Sequence, residues 1–325
     1  MSAMLDRLAP LTTTGVGSLP FDRADEAARH ALEAYGLPFC PQLPRLDGDM
    51  IAEWLGADPG RCGWAPDRDR ERPAAWHEVV ARLTAEPPCH RLVKLQVTGP
   101  VTLAIALERS AGRRGGGAGL ASLARDVATW LAANVAGQVR RLGQGGLDTL
   151  VVVDEPGLAS AGIGPAEVGL WDPLRAVAPV WGMHVCGPLP WDLVDALELN
   201  LISLDLTCHG VPPEARPVLA RLLRRGGRAA WGVLDPTVPT GATDSAGMAV
   251  AALAAIASPE ASIERLAELS LLTPACGTGR LSPERERLAA ASLDAAQRAT
   301  LGAVAAAPKA SRRQLPRTAR LASPD

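Results

Sequence analysis

The chain has 325 residues, of which 47% are hydrophobic and 21% charged, so it is long enough for a large core and has the composition of an ordinary globular protein. A formal net charge of −2 gives no reason to expect a nucleic acid as a partner. The sequence has no apolar run of about eighteen residues and no signal-peptide pattern at its start, so we predict no membrane span and no export.

Short apolar runs alternate with helical patterns along the chain. The eight predicted strands are rich in β-branched residues and leucine, and cover residues 12–18, 37–43, 92–97, 149–153, 180–185, 201–206, 229–234 and 269–273. The predicted helices cover residues 22–35, 50–55, 74–85, 101–108, 120–142, 165–177, 191–197, 213–224, one or two stretches within 246–268, and 282–305.

This alternation is typical of a (β/α)8 barrel. The competing fold, a doubly wound open sheet, would carry a Gly-x-Gly-x-x-Gly after its first strand, and none stands there. We therefore predict an α/β protein with a single (β/α)8 TIM barrel over residues 1–306, followed by a disordered tail over residues 307–325.

Polar residues gather just past the predicted strands, where the active site of such a barrel lies. They are Ser18, Gln96, Thr98, Asp154, Glu155, His184, Cys186, Asp205, Asp235 and Cys276. Because polar residues scattered by chance would fall at both ends of the strands, this distribution predicts a common site.

A His and a Cys two residues apart end the fifth predicted strand. Side chains alternate along a strand, so His184 and Cys186 point to the same face, as in half of a zinc site. On their own they fit equally well a buried His beside an inert Cys. Cys276 follows the last strand and can face the mouth of the barrel, at the carboxyl ends of the strands, as a third ligand. Asp205 is either a fourth ligand or a polar residue that merely ends a strand.

The cysteines as a group also bear on location and on metal binding. Six of them are scattered through a chain without a secretion signal, which favours reduced thiols in a cytoplasmic protein. Cys208 and His209 offer alternative ligands, although a plain loop is the simpler interpretation of that pair.

The predicted ligand set favours chemistry on sulfur. A zinc ion bound by two thiolates, one carboxylate and one imidazole has a net charge of about −1 and is poorly suited to making a water acidic. It is suited to binding a substrate thiol, taking its proton and leaving the sulfur nucleophilic. The set therefore indicates alkyl transfer to a thiol rather than hydrolysis.

Two further features offer contacts for a small substrate. Asp154 and Glu155 are adjacent after a buried strand, so one can face the mouth and bind an ammonium group while the other braces the wall; a pair of loop carboxylates is the alternative. The turn that contains Gly17 and Ser18 offers N–H groups and a hydroxyl to a carboxylate, or is an ordinary tight turn.

Five motifs then resemble a known family when they are taken in order. They are residues 14–20 (TGVGSLP), 96–102 (QVTGPVT), 153–156 (VDEP), 184–186 (HVC) and 273–277 (TPACG). Together they resemble the C-terminal catalytic barrel of the cobalamin-independent methionine synthase family, in the superfamily that includes uroporphyrinogen decarboxylase. The resemblance spans residues 12–305.

The resemblance implies zinc-dependent methyl transfer to homocysteine, giving methionine, as in a 5-methyltetrahydropteroyltriglutamate–homocysteine S-methyltransferase. It implies the zinc ligands His184, Cys186, Cys276 and, in place of the family's Glu, Asp205. It implies that Asp154 holds the substrate's amino group and that Gly17 and Ser18 hold its carboxylate; we expect Glu155 to contact the substrate as well. The catalytic roles fall on Asp154, His184 and Cys186.

The sequence departs from the family in ways that bear on the methyl donor. These 325 residues leave no room for the family's additional N-terminal barrel, and no acid stands at residues 42–44, where the family has a second amino-group ligand. Thr237 occupies the place of a His that serves the folate. We therefore expect the donor to be either a methyl-folate or a methyl-corrinoid protein.

Three other functions compete with methionine synthesis. One is a corrinoid-linked methyltransferase acting on another thiol, such as coenzyme M. A second is a non-catalytic, degenerate metal-binding member of the family. The third, decarboxylation of a tetrapyrrole, needs no zinc and would leave the cysteines unexplained.

Overall fold

Eight parallel strands form the centre of the molecule in a computed structural model, which describes residues 3–56, 73–112, 117–238 and 241–306. The strands are β1 (Thr12–Thr13), β2 (Phe39–Cys40), β3 (Leu92–Thr98), β4 (Asp148–Asp154), β5 (Val180–Val185), β6 (Leu201–Asp205), β7 (Arg228–Leu234) and β8 (Ser270–Pro274). They are hydrogen-bonded in the order β1-β8-β7-β6-β5-β4-β3-β2. Each predicted strand is therefore confirmed, although β1 and β2 are shorter than expected.

Backbone hydrogen bonds beyond the short first strands join the two ends of this sheet. Leu37 N–H donates to Thr13 O at 2.9 Å, and Gln42 N–H donates to Gly17 O at 3.1 Å. Ser18 and Gln42 also form an isolated parallel bridge. The sheet curls round on itself in this way, and the predicted (β/α)8 barrel is confirmed.

Helices lie between successive strands, as predicted. They are Ala24–Glu33, Pro44–Asp47, Ala52–Leu55, Trp76–Ala85, Pro100–Ser110, Gly117–Gln144, Leu158–Ala161, Asp172–Val177, Trp191–Ala196, Leu206–His209, Ala215–Arg224, Ala242–Ile256, Ile263–Glu268 and Pro283–Ala306, with 3-10 turns at Leu5–Arg7 and Pro165–Trp171. None of the helices within the described residues is both long and apolar enough to cross a membrane.

Three short helices escaped the sequence patterns, and one predicted helix is divided. Pro44–Asp47, Leu158–Ala161 and Leu206–His209 have four residues each, which is too short for a helical period to show. The stretch predicted as one helix over 165–177 begins as a 3-10 turn and becomes α-helical only at Asp172. The predicted tail over 307–325 lies outside the described residues.

The barrel interior is apolar at one end and polar at the other. Side chains from alternate positions point inward, and the lower layer of the interior consists of leucine, valine and alanine. Leu5 and Leu8 pack into this layer from the N-terminal segment. Asp6 in the same segment accepts a hydrogen bond from the buried Arg228 at 2.8 Å. The N-terminal segment therefore covers the floor of the barrel, and the polar layer lies toward the carboxyl ends of the strands.

Candidate functional site

The register of the strands places the predicted site residues side by side. Thr98 on β3 is paired with Asp154 on β4, Asp154 with His184 on β5, and His184 with Ser203 on β6. All four residues are buried. Because they form one row across four neighbouring strands, the polar layer at the mouth is set by the hydrogen-bonded ladder of the sheet.

His184 is held by one ring nitrogen and leaves the other without a hydrogen bond. Its Nδ1 lies 2.9 Å from Ser203 Oγ. Its Nε2 is buried and has no hydrogen-bond partner in the described part of the chain. An unpaired buried nitrogen is costly, so its presence at the mouth is a reason to expect a ligand there.

Cys186 and Cys276 lie next to each other and next to this imidazole. The pKa of Cys276 is lowered to about 4, first because the Cys186 thiol donates a hydrogen bond to it. The second cause is the His184 imidazole, which lies close enough to stabilise the thiolate although no hydrogen bond of regular geometry joins them. The pKa of Cys186 is raised, first by the same bond to Cys276 and then by burial. The proximity of the two sulfurs therefore favours the thiolate form at Cys276 and the thiol form at Cys186.

These donors do not form a ready-made metal cluster. Among residues 3–56, 73–112, 117–238 and 241–306, no group of three or more His, Cys, Asp or Glu side chains is arranged to hold a metal ion. Asp205 Oδ1 accepts hydrogen bonds from Thr207 N–H and Oγ1, both at 2.6 Å, and from Cys208 N–H at 3.3 Å. Asp205 thus caps the short helix Leu206–His209, and its part as a fourth ligand stays a prediction.

Asp154 faces the mouth and is tied to the neighbouring strand. Gln96 Nε2 donates to Asp154 Oδ1 at 2.5 Å. Burial raises the pKa of Asp154 to about 6, against the opposing pull of His184 and Lys94. This buried carboxylate has a single side-chain donor in the described hydrogen bonds, so it is suited to attracting a positively charged group.

Glu155, one residue further on, points into the wall. Its oxygens accept hydrogen bonds from Val101 N–H (3.1 Å), Thr102 N–H (2.9 Å), Thr102 Oγ1 (2.7 Å) and Trp171 Nε1 (3.2 Å). Its exposed fraction is 0%. Asp154 is therefore the carboxylate that faces the mouth, and Glu155 supports the wall. The expected direct contact between Glu155 and a substrate does not fit this arrangement.

The turn that contains Gly17 and Ser18 packs against the loop that follows β8. Ser18 O accepts hydrogen bonds from Thr278 N–H (3.0 Å) and Thr278 Oγ1 (3.1 Å), and Gly279 N–H donates to Ser18 Oγ at 3.3 Å. A Cβ on Gly277 would overlap Ser18 Oγ. Ser18 and Cys276 are therefore held at the same part of the mouth by one pair of loops.

Two residues of the polar layer were not among the sequence candidates. Lys94 is 3% exposed, and Ser203 holds His184. The signal for Lys94 was present, because it is the one cation in the apolar run Leu92–Val97 that becomes a strand buried on both faces. Ser203 gave no signal, since a serine within a strand is common.

Comparisons with known proteins agree with this fold. Neither protein-family profiles nor curated proteins match the sequence. Among solved structures, a B12-independent methionine synthase from Shewanella sp. W3-18-1 in complex with selenomethionine matches 92% of this chain and 100% of its own, with 16% identity and a TM-score of 0.61. A methyltransferase from Methanosarcina mazei matches 92% of this chain and 96% of its own, with 15% identity and a TM-score of 0.60. The chain shares their barrel fold. The resemblance predicted from the motifs is confirmed at that level.

Proposed function

We propose that the protein is a zinc-dependent methyltransferase that methylates a thiol, with homocysteine as the acceptor and methionine as the product. The observation that supports this most directly is the convergence of His184, Cys186 and Cys276 beside the buried carboxylate of Asp154. The shared fold with a B12-independent methionine synthase agrees with it.

The donor chemistry at the mouth suits zinc. Thiolates and an imidazole are the ligands that zinc prefers, and His184 Nε2 is a buried nitrogen without a hydrogen-bond partner in the described residues. His184, Cys186 and Cys276 would hold the ion, with Asp205 as the proposed fourth ligand. Bound zinc would supply a positive centre that favours the deprotonated form of the substrate sulfur.

The remaining residues of the mouth would hold the amino-acid part of homocysteine. Asp154 in its anionic form attracts the ammonium group from a buried position, where charge interactions are strong. The turn with Gly17 and Ser18 lies near Cys276 and offers N–H groups to the carboxylate. Holding the amino and carboxylate groups of the substrate would direct its sulfur toward the cysteine pair, and such positioning contributes much of the rate of a methyl transfer.

The methyl donor is proposed to be a methyl-folate or a methyl-corrinoid protein. Thr237 stands where the resemblance places a folate-serving His, and its N–H and Oγ1 both donate to Asp235 at 2.7 Å. A threonine hydroxyl has no pKa near neutrality and cannot replace an imidazole as a general acid or base, which supports the corrinoid alternative.

Metal analysis of purified protein tests the proposed zinc site. We expect about one zinc ion per chain, lost in Cys186→Ala and Cys276→Ala. Cys89→Ala is the matched control, because Cys89 is an exposed free cysteine just before β3 and its removal should leave the zinc content unchanged. Wild-type protein without zinc, or full zinc in both site variants, would exclude the site.

Methyl transfer tests the acceptor and the donor separately. Homocysteine is offered with methylcobalamin or with methyltetrahydrofolate, and coenzyme M replaces homocysteine in parallel reactions. Methionine formed from one donor and absent in Cys276→Ala is the expected result. If coenzyme M alone is methylated, homocysteine is the wrong acceptor; if no thiol is methylated, the proposed activity fails.

A further inference from the structure

A buried ammonium group lies beneath the mouth, between the two elements proposed to hold the substrate. Lys94 Nζ donates to Val16 O at 2.5 Å and to Gln96 Oε1, and it lies 5.2 Å from the centroid of the Phe39 ring. No described carboxylate is within ion-pair distance of it. A charge buried in this way is expensive, and an apolar side chain of the same length would fill the space at lower cost.

The position of this ammonium group determines which way the Gln96 amide points. An ammonium group only donates hydrogen bonds, so it takes the amide oxygen and turns Nε2 toward the neighbouring strand. Nε2 then donates to Asp154 Oδ1 at 2.5 Å. Without Lys94, Gln96 would keep only its bond to Asp154, and the side chain that carries this donor would lose its second anchor. Lys94 therefore keeps a donor on Asp154 through one intervening residue.

The second bond of Lys94 acts on the turn that carries Gly17 and Ser18. Val16 O is the backbone acceptor immediately before Gly17. A Cβ on Gly17 would come within 2.8 Å of Gln96 Cγ, so the turn and the Gln96 side chain are packed without spare room. One ammonium group thus anchors both the turn and the amide.

We propose that Lys94 is a positioning residue that fixes the distance between the carboxylate-binding turn and Asp154, and so selects substrates that carry both an amino and a carboxylate group. This inference rests on the proposed function. Lys94 does not touch the reacting atoms, and its action passes through Gln96 on one side and Val16 on the other. Burial lowers the pKa of Lys94 to about 7 while attraction to Asp154 opposes that shift, so the positioning role belongs to the ammonium form.

Ligand binding by calorimetry tests this role without turnover. The probes are L-methionine, 4-(methylthio)butanoate, which lacks the amino group, and 3-(methylthio)propylamine, which lacks the carboxylate. Wild type should prefer methionine over both. Lys94→Met should weaken methionine binding about 10- to 100-fold and lose both preferences, because each charged hydrogen bond is worth roughly that factor. Gln96→Met should lose only the preference for the amino group.

The matched control is Thr273→Val, a near-isosteric change in the wall of a small interior cavity that Lys94 and Gln96 also line. It should bind methionine as wild type does, and the zinc content should be unchanged in all three variants. In turnover, Lys94→Met should raise KM for homocysteine more than it lowers kcat. If Lys94→Met does not fold, the positioning role is tested by whether Gln96→Met loses only the preference for ligands that carry the amino group.

The outcomes separate the two proposals. If wild type binds no methionine, homocysteine is the wrong acceptor and the role of Lys94 falls with it. If wild type binds methionine and Lys94→Met binds it equally tightly, the positioning role alone is wrong. An equal loss of methionine affinity in Thr273→Val would show that the effect comes from packing of the barrel interior, and would also overturn the positioning role of Lys94.

Discussion

Replacing Glu155 by alanine should destabilise the protein strongly and identify this residue as part of the wall. The carboxylate accepts four hydrogen bonds and is fully buried. Alanine would leave the donors of Val101, Thr102 and Trp171 without their acceptor, and each buried unpaired donor costs roughly 1–3 kcal/mol. Allowing for entry of water and partial collapse, we expect the free energy of unfolding to fall by about 4 kcal/mol.

Two milder variants refine this expectation. Glu155→Gln keeps one acceptor oxygen and should cost about 1–2 kcal/mol. Thr102→Val removes the hydroxyl that donates to Glu155 and accepts from Gly157 N–H, and should cost about 1–2 kcal/mol. Urea unfolding followed by tryptophan fluorescence measures all three, since Trp171 contacts the carboxylate directly.

The same variants distinguish a wall brace from a substrate ligand. A brace predicts a large loss of stability in Glu155→Ala and little change in KM for Glu155→Gln. A loss below about 1 kcal/mol in Glu155→Ala would refute the hydrogen-bond reasoning. A raised KM in a fully stable Glu155→Gln would restore the role in substrate binding that the sequence suggested.

Three further predictions follow from the site. Gly99→Ala should cost about 3 kcal/mol in urea unfolding, because the added Cβ would overlap the Glu155 carboxyl group; an unchanged midpoint would contradict this. In metal-free protein, iodoacetamide should alkylate Cys276 rapidly even at mildly acidic pH, because its pKa is lowered to about 4, and Cys276→Ala should lose that fast phase. Methionine binding should weaken as pH falls through about 6, because protonation of Asp154 removes the charge that attracts ammonium; calorimetry that shows a flat profile would exclude Asp154 as the ligand.

The sequence predicted the barrel well because its strands are buried on both faces. Runs such as Thr149–Val153 are apolar throughout, and each is followed by a helical pattern, so the order of elements was visible without tertiary information. β1 and β2 were the least well predicted. Each has only two residues in regular pairing, because the chain leaves the sheet early to form the turn with Gly17 and the segment around Gln42.

The sequence predicted which site residues lie at the strand ends, but not the hydrogen bonds that join them. The position of Asp154 at a strand end follows from local pattern, whereas its bond to Gln96 depends on the register of β3 against β4. Strand alternation predicted that Asp154 and Glu155 point in opposite directions. The hydrogen-bond partners of Glu155, however, come from a distant helix and from Trp171. Such long-range contacts leave no periodicity in the sequence.

The covered floor of the barrel has a kinetic consequence. With Leu5 and Leu8 packed into one end, the floor of the interior is closed, so the proposed reactants would enter from the carboxyl ends of the strands. Whatever binds deepest must arrive first and depart last. In the proposed methyl transfer the thiol would therefore bind before the methyl donor, and product inhibition patterns should show methionine as the last molecule to leave.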